Sequence, residues 1–133
     1  MESLLEDCKI AVDQRSQIIT VTWGHCLSFE TACSFMLSYN QHKKYPGYGL
    51  LLDFRQVDDL QMLINDLMRL AEIATRIFDV GSVVRTAFLI SNADQQNRVD
   101  QYVQLRQMLS KRELQFDRFF EEKEARRWLT ANN

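Results

Sequence analysis

The sequence predicts a single α/β domain over residues 1–133, with a five-stranded, mixed but mostly parallel sheet flanked by four helices. Three observations predict it. The apolar run from Tyr48 to Phe54 stops abruptly at the charged Arg55-Gln56-Val57-Asp58-Asp59, as a strand covered on both faces does where it meets a loop. A second run of the same kind spans Val83 to Ile90. Between and after these runs the apolar period lengthens to that of amphipathic helices, and strands alternating with helices favour parallel pairing through right-handed crossovers.

The elements follow in order. Lys9 to Val12 and Gln17 to Trp23 are rich in isoleucine, valine and threonine and are separated by the polar Asp13-Gln14-Arg15-Ser16, a hairpin signal that adds one antiparallel strand. Ile18, Thr20 and Thr22 alternate with Ile19, Val21 and Trp23, so one face is expected to be drier than the other. Gly24 ends the strand. Ser28 suits a helix N-cap, Glu30 falls in the first turn where the helix dipole favours negative charge, and Phe29, Ala32, Cys33, Met36 and Leu37 recur at helical spacing, predicting a helix over 29–43. Tyr45-Pro46-Gly47 stops it, because proline excludes the preceding residue from helical geometry.

From Leu60 the helical period returns. Leu60, Leu63, Ile64, Leu67, Leu70, Ala71, Ala74, Ile77 and Phe78 form the inward stripe, Gln61, Asn65, Arg69, Glu72, Arg76 and Asp79 the wet one, and the predicted helix over 60–79 closes at Gly81. After the strand Val83 to Ile90, Asp94 is placed to cap a helix over 95–110 that carries Val99, Tyr102, Val103 and Leu109. Phe116 to Phe120 is a last short strand and 121–130 a final helix.

Composition narrows the function classes. With 133 residues, 46% hydrophobic and 26% charged, one proline and four glycines, the chain has the make-up of one ordinary globular domain, long enough to bury roughly two-thirds of its unfolded surface. Sixteen basic against 18 acidic residues give a net charge of −2, without the positive excess that phosphate backbones require, so nucleic acid is not an expected partner. Glu2, Glu6 and Asp7 stand where a signal peptide carries lysine, and no apolar run approaches the roughly 20 residues of a membrane span; a cytoplasmic location without membrane insertion is expected. Cys8, Cys26 and Cys33 are an odd number without a C-x-x-C pair, the usage of a reducing compartment.

Four stretches together resemble the STAS-like, or SpoIIAA-like, family, founded on bacterial anti-sigma factor antagonists. They are Ile19-Thr20-Val21-Thr22-Trp23-Gly24, the strand Leu51-Leu52-Asp53-Phe54-Arg55-Gln56-Val57, the strand Arg85-Thr86-Ala87-Phe88-Leu89-Ile90, and the ending from Phe119-Phe120 through Ala125-Arg126-Arg127-Trp128-Leu129. The resemblance spans nearly the whole chain and implies a non-enzymatic regulatory or protein-interaction module. Family members that switch by phosphorylation present a serine after the central strand. This chain reads Asp58-Asp59-Leu60-Gln61-Met62-Leu63 there and offers no hydroxyl, so it is more similar to the divergent branch without that switch.

No nucleophile with its base, no metal-ligand spacing and no glycine-rich phosphate loop occurs, so neither an enzyme nor a cofactor is expected. His25 beside Cys26, with Cys33 seven positions on, falls short of the four ligands that zinc takes. Ligands of open α/β sheets sit beyond the carboxyl ends of the strands, which makes His25, Arg55, Asp58, Asp59, Ser91 and Asn92 the candidate ligand-binding residues. On the plainer reading, Asp53, Asp58, Asp59 and Asp94 cap helices and tie loops, and Arg55 is their local charge partner. Phe35, Tyr39, Met62 and Ile73 lie off the main inward stripes and are the candidate interaction surface, for another protein or a second copy in a homodimer, unless the core absorbs them. The alternative function is a carrier or sensor of a small apolar ligand, held between the sheet and the helix Leu60 to Phe78 with Met62 and Met68 in an adaptable lining.

Overall fold

The computed structural model describes residues 8–39, 41–78 and 84–131. In chain order the elements are β1 (Cys8–Asp13), β2 (Ile18–Trp23), β3 (Cys26–Ser28), α1 (Phe29–Ser38), α2 (Gln41–Lys44), β4 (Gly49–Asp53), β5 (Asp59–Gln61), α3 (Ile64–Phe78), β6 (Arg85–Leu89), α4 (Ala93–Leu109), β7 (Gln115–Phe119) and α5 (Glu122–Thr130). The α/β class and the five-stranded mixed sheet are as the sequence predicts.

β1 and β2 form the hairpin in full register, from Cys8 opposite Trp23 to Asp13 opposite Ile18. The turn is held by the Asp13 carboxylate, which accepts from the Arg15 and Ser16 amides at 3.1 and 3.2 Å, and it closes through Gln17 in the left-handed region at φ 58°. The remaining pairings, β2 with β4, β4 with β6 and β6 with β7, are all parallel, so the sheet order β1-β2-β4-β6-β7 is strictly sequential. Successive right-handed crossovers that advance in one direction must leave their helices on one face. α1, α3 and α4 accordingly share a face, where they cover Ile19, Val21, Trp23, Leu50, Leu52 and Phe88. α5 follows the last strand and crosses back to nothing. It packs on the opposite face, setting Ala125, Trp128 and Leu129 against Ile18, Leu51, Ala87 and Leu89.

Three element boundaries depart from expectation. The helix expected from Leu60 starts at Ile64, because Asp59-Leu60-Gln61 is the strand β5, paired in parallel with β3 through Cys26 opposite Asp59, Leu27 opposite Leu60 and Ser28 opposite Gln61. Leu60 and Leu63 imitate the helical i, i+3 spacing, but burial alternates from exposed Asp59 and Gln61 to half-buried Leu60 and buried Met62. The Leu63 amide donates to the Asp66 carboxylate at 3.0 Å and opens the helix one turn later. α1 ends at Ser38 rather than 43, where the Ser38 hydroxyl donates to the Ser34 carbonyl at 2.9 Å and competes with the helical ladder, leaving α2 as a single separate turn. α4 is capped by Asn92, not Asp94: the Gln95 amide donates to Asn92 Oδ1 at 2.9 Å, and Asp94 falls in the first turn. The expected end of the second long helix at Asp79, its stop at Gly81 and the strand start at Val83 lie outside the described residues.

Candidate functional site

The polar residues expected to gather at the strand ends fall into separate sets of contacts. Arg55 is occupied at the rim of the α5 face. Its Nε and Nη2 donate to the two oxygens of Asp53 at 3.1 and 2.9 Å, and Nη2 also donates to Glu122 Oε1 at 3.0 Å. Glu122 in turn accepts from Arg126 Nε at 2.8 Å, so a chain Asp53–Arg55–Glu122–Arg126 ties the end of β4 to α5. The Asp53 hydrogen bond raises the Arg55 guanidinium above its ordinary value, and the Arg126 hydrogen bond lowers the Glu122 carboxyl. Arg55 is therefore the local charge partner of the plainer reading.

His25, Asp58 and Asp59 do come together, beside β3 and β5. The His25 carbonyl accepts from both the Asp58 and Asp59 amides at 3.0 Å, which fixes the backbone entry to β5. The side chains face water. His25 Nδ1 lies 3.5 Å from Asp58 Oδ2 with the two side chains 81% and 75% exposed, so solvent screens the pair. Asp59 is occupied by Gln61 at 2.7 Å. None of the three caps a helix, against the expectation for the two aspartates. Ser91 and Asn92 form a third set at the start of α4: Ser91 donates through its amide and hydroxyl to Gln95 Oε1 at 2.8 and 3.3 Å, and Asn92 is the cap already described.

Gln95, which the sequence reading passed over, joins this third set to the central strand. It is 3% exposed, and its Nε2 donates to the carbonyls of Phe54 and Val57, both at 2.9 Å. With Oε1 on Ser91 the amide is saturated, so Gln95 is a bracket that holds the loop after β4 against α4. The signal was present in Asn92-Ala93-Asp94-Gln95, the spacing of a capping box, in which the residue at the third helical position reaches back across the cap.

The candidate interaction surface is corrected. Phe35, Tyr39 and Met62 are 5, 7 and 6% exposed and belong to the core, and Ile73 is half-buried. α1 packs against both the sheet and its neighbour α3, so a second stripe is covered besides the expected one: Phe35 meets Trp23 edge-on with ring centroids 5.0 Å apart, and Tyr39 meets Phe78 at 5.7 Å. Burial raises the Tyr39 phenol far above its ordinary value, so it stays neutral.

These rings wall a cavity of about 150 Å³ between the sheet and the layer of α1, α3 and α4. Trp23, Leu52, Phe54, Phe88 and Phe116 line it from the sheet side. Phe35, Met36, Tyr39, Leu67, Leu70 and Tyr102 line it from the helices. Met62 contributes as expected, but Met68 does not: it sits on the outer side of α3, 38% exposed. Polar groups on the described lining residues are those of Thr86, Gln95, Arg98 and Arg106, the Trp23 indole and the phenols of Tyr39 and Tyr102, and none of these residues is a carboxylate. A space lined this way suits an apolar guest, since water needs two to four polar partners to stay. His25, Asp58 and Asp59 are not among its lining residues.

Among the described residues no group of three or more His, Cys, Asp or Glu side chains could hold a metal ion, and no helix is long and apolar enough to cross a membrane. Cys8, Cys26 and Cys33 form no disulfide. No family model matches the chain, and no curated protein or solved structure matches it.

Proposed function

We propose that this protein is a non-enzymatic module that binds a small apolar molecule between its sheet and its helical layer, as a carrier or a sensor. The observation that carries the reading is the cavity of about 150 Å³. An unfilled cavity costs roughly 24 cal/mol per Å³, on the order of 3–4 kcal/mol for one of this size, a large fraction of a small domain's stability. A guest that fills the space recovers part of that cost, so selection for binding gives the void a reason to persist. An engineered cavity of about this volume lined by leucine, isoleucine and phenylalanine takes up benzene.

The test is a thermal-shift and native mass spectrometry panel of small apolar compounds, run beside Ala32→Leu. Ala32 lines the cavity, and the added side chain occupies the space a guest would take. Binding to the natural chain and its loss in a stably folded Ala32→Leu support the reading. A natural chain that binds nothing in the panel overturns it.

A second reading, interaction with another protein or a second copy, is favoured by the start of α3. Leu63, just before the helix, and Ile64 and Met68 on it are 73, 53 and 38% exposed, and the opposite side of α3 roofs the cavity. Light scattering on the natural chain and on Leu63→Asp with Ile64→Asp tests it, and an unchanged monomer in both removes self-association. Kinship with the divergent STAS-like branch and a cytoplasmic location belong to this proposal. The first rests on the four sequence stretches, the second on three cysteines without a disulfide.

A further inference from the structure

Taking the cavity as a ligand site, we propose that its ligand is a single planar ring bearing a hydrogen-bond acceptor, a carbonyl or carboxylate oxygen, that pairs with the Trp23 indole N–H. Three observations converge. Trp23 lines the cavity and is 4% exposed, yet its Nε1 is buried without an acceptor among the described residues. Indole is a donor only, so what is missing there is an acceptor, and a buried donor left unpaired is costly enough that native structures seldom keep one. Arg98, whose side chain also borders the cavity, is likewise a donor, and no acid is found among the described residues that line it. Arg98 Nε is also buried without an acceptor among the described residues, where the side chain makes a loose ion pair to Asp94 at 3.9 Å.

Shape sets the rest of the ligand. Trp23, Phe54 and Phe88 form a row of near-parallel rings across the sheet, with centroids 6.4 and 6.1 Å apart and planes inclined by 18° and 12°. Phe35 stands at 70° to Trp23. Rings in such a setting favour another ring, offset-stacked or edge-on, over a flexible chain. A volume of about 150 Å³ accommodates one ring with a small substituent, not a long acyl chain.

The experiment compares toluene, benzaldehyde and benzoate binding to the natural chain and to Trp23→Phe, by titration calorimetry and by the indole N–H resonances of the two tryptophans, Trp23 and Trp128. The expected result is that benzaldehyde or benzoate binds about tenfold tighter than toluene and moves the Trp23 N–H resonance downfield, that Trp128 is unmoved, and that Trp23→Phe erases the preference while still binding toluene. If benzoate is the tighter of the two and Arg98→Met weakens it alone, the acceptor is a carboxylate. If benzaldehyde is the tighter and Arg98→Met leaves it unchanged, it is a carbonyl. Toluene bound as tightly as the other two, with no shift of the Trp23 resonance, overturns the inference and leaves the apolar cavity reading standing. Failure of all three to bind overturns both. The resonance is read on the natural chain, so the inference stays testable even where Trp23→Phe does not fold.

Discussion

The two faces of the sheet are packed by different means. On the α5 face, small and medium side chains fit closely: Leu51, Ala87, Leu89 and Ala125 are completely buried, and a Cβ added at Gly49 would lie 3.1 Å from the Leu129 side chain. The Asp53–Arg55–Glu122–Arg126 chain closes the rim. On the opposite face three helices rest on large rings, Trp23, Phe54, Phe88 and Phe116, and the space these rings cannot fill is the cavity. The difference teaches where stability and binding reside. Close packing of small groups leaves nothing for a guest, whereas rigid rings propped against one another leave a gap that rotamer changes cannot close.

Adjacent residues offer the sharpest test, because Leu51 and Leu52 point to opposite faces of β4. Leu51→Ala removes a fully buried side chain from the close-packed face and is expected to cost about 3–4 kcal/mol. Leu52→Ala enlarges a space that already exists, around a side chain that is only half-buried, and is expected to cost less than half as much. Urea unfolding of both measures the contrast, and equal costs would break it.

Next in size is Gln95→Leu. It strands the carbonyls of Phe54 and Val57 and the Ser91 amide inside the protein, at a cost of about 2–3 kcal/mol. Hydrogen exchange should show the segment 54–59 opening first, and loosening spread evenly over the sheet would contradict the bracket role.

Overpacking should separate the faces by sign. Ala87→Leu is expected to destabilise by about 1–3 kcal/mol, since Ala87 is fully buried under α5. Ala32→Leu adds the same atoms beside the cavity and is expected to leave the melting temperature unchanged or raise it by a few degrees. Matched losses in the two variants would mean that the cavity has no room to give.

The smallest effect belongs to the rim. Glu122 has a folded-state pKa below its ordinary 4.5, so its contribution is present above that value and is lost as pH falls through the lower folded value. The side chain is 40% exposed, and screening holds the contribution to roughly a few tenths of a kcal/mol. Glu122→Gln should flatten the acid limb of the stability profile below about pH 4.5. A mutant profile parallel to the natural one would remove the rim from the account.

What the sequence determined by itself was everything that repeats locally. The hairpin, the strands around Leu51 and Phe88, the helices and the class follow from periods of two and 3.6, which neighbouring residues carry among themselves. Arg55 was legible as a charge partner because Asp53 stands two residues away. Tertiary structure decided what depends on residues distant in the chain. Asp59-Leu60-Gln61 became a strand because Cys26-Leu27-Ser28 lies beside it, overriding a helical spacing that two leucines had imitated. Phe35, Tyr39 and Met62 entered the core because α1 meets the sheet and α3 at once. Gln95 found its partners 38 and 41 positions back. The cavity belongs to no segment: it is the volume left when side chains from several strands and helices meet, and only their mutual packing sets its size.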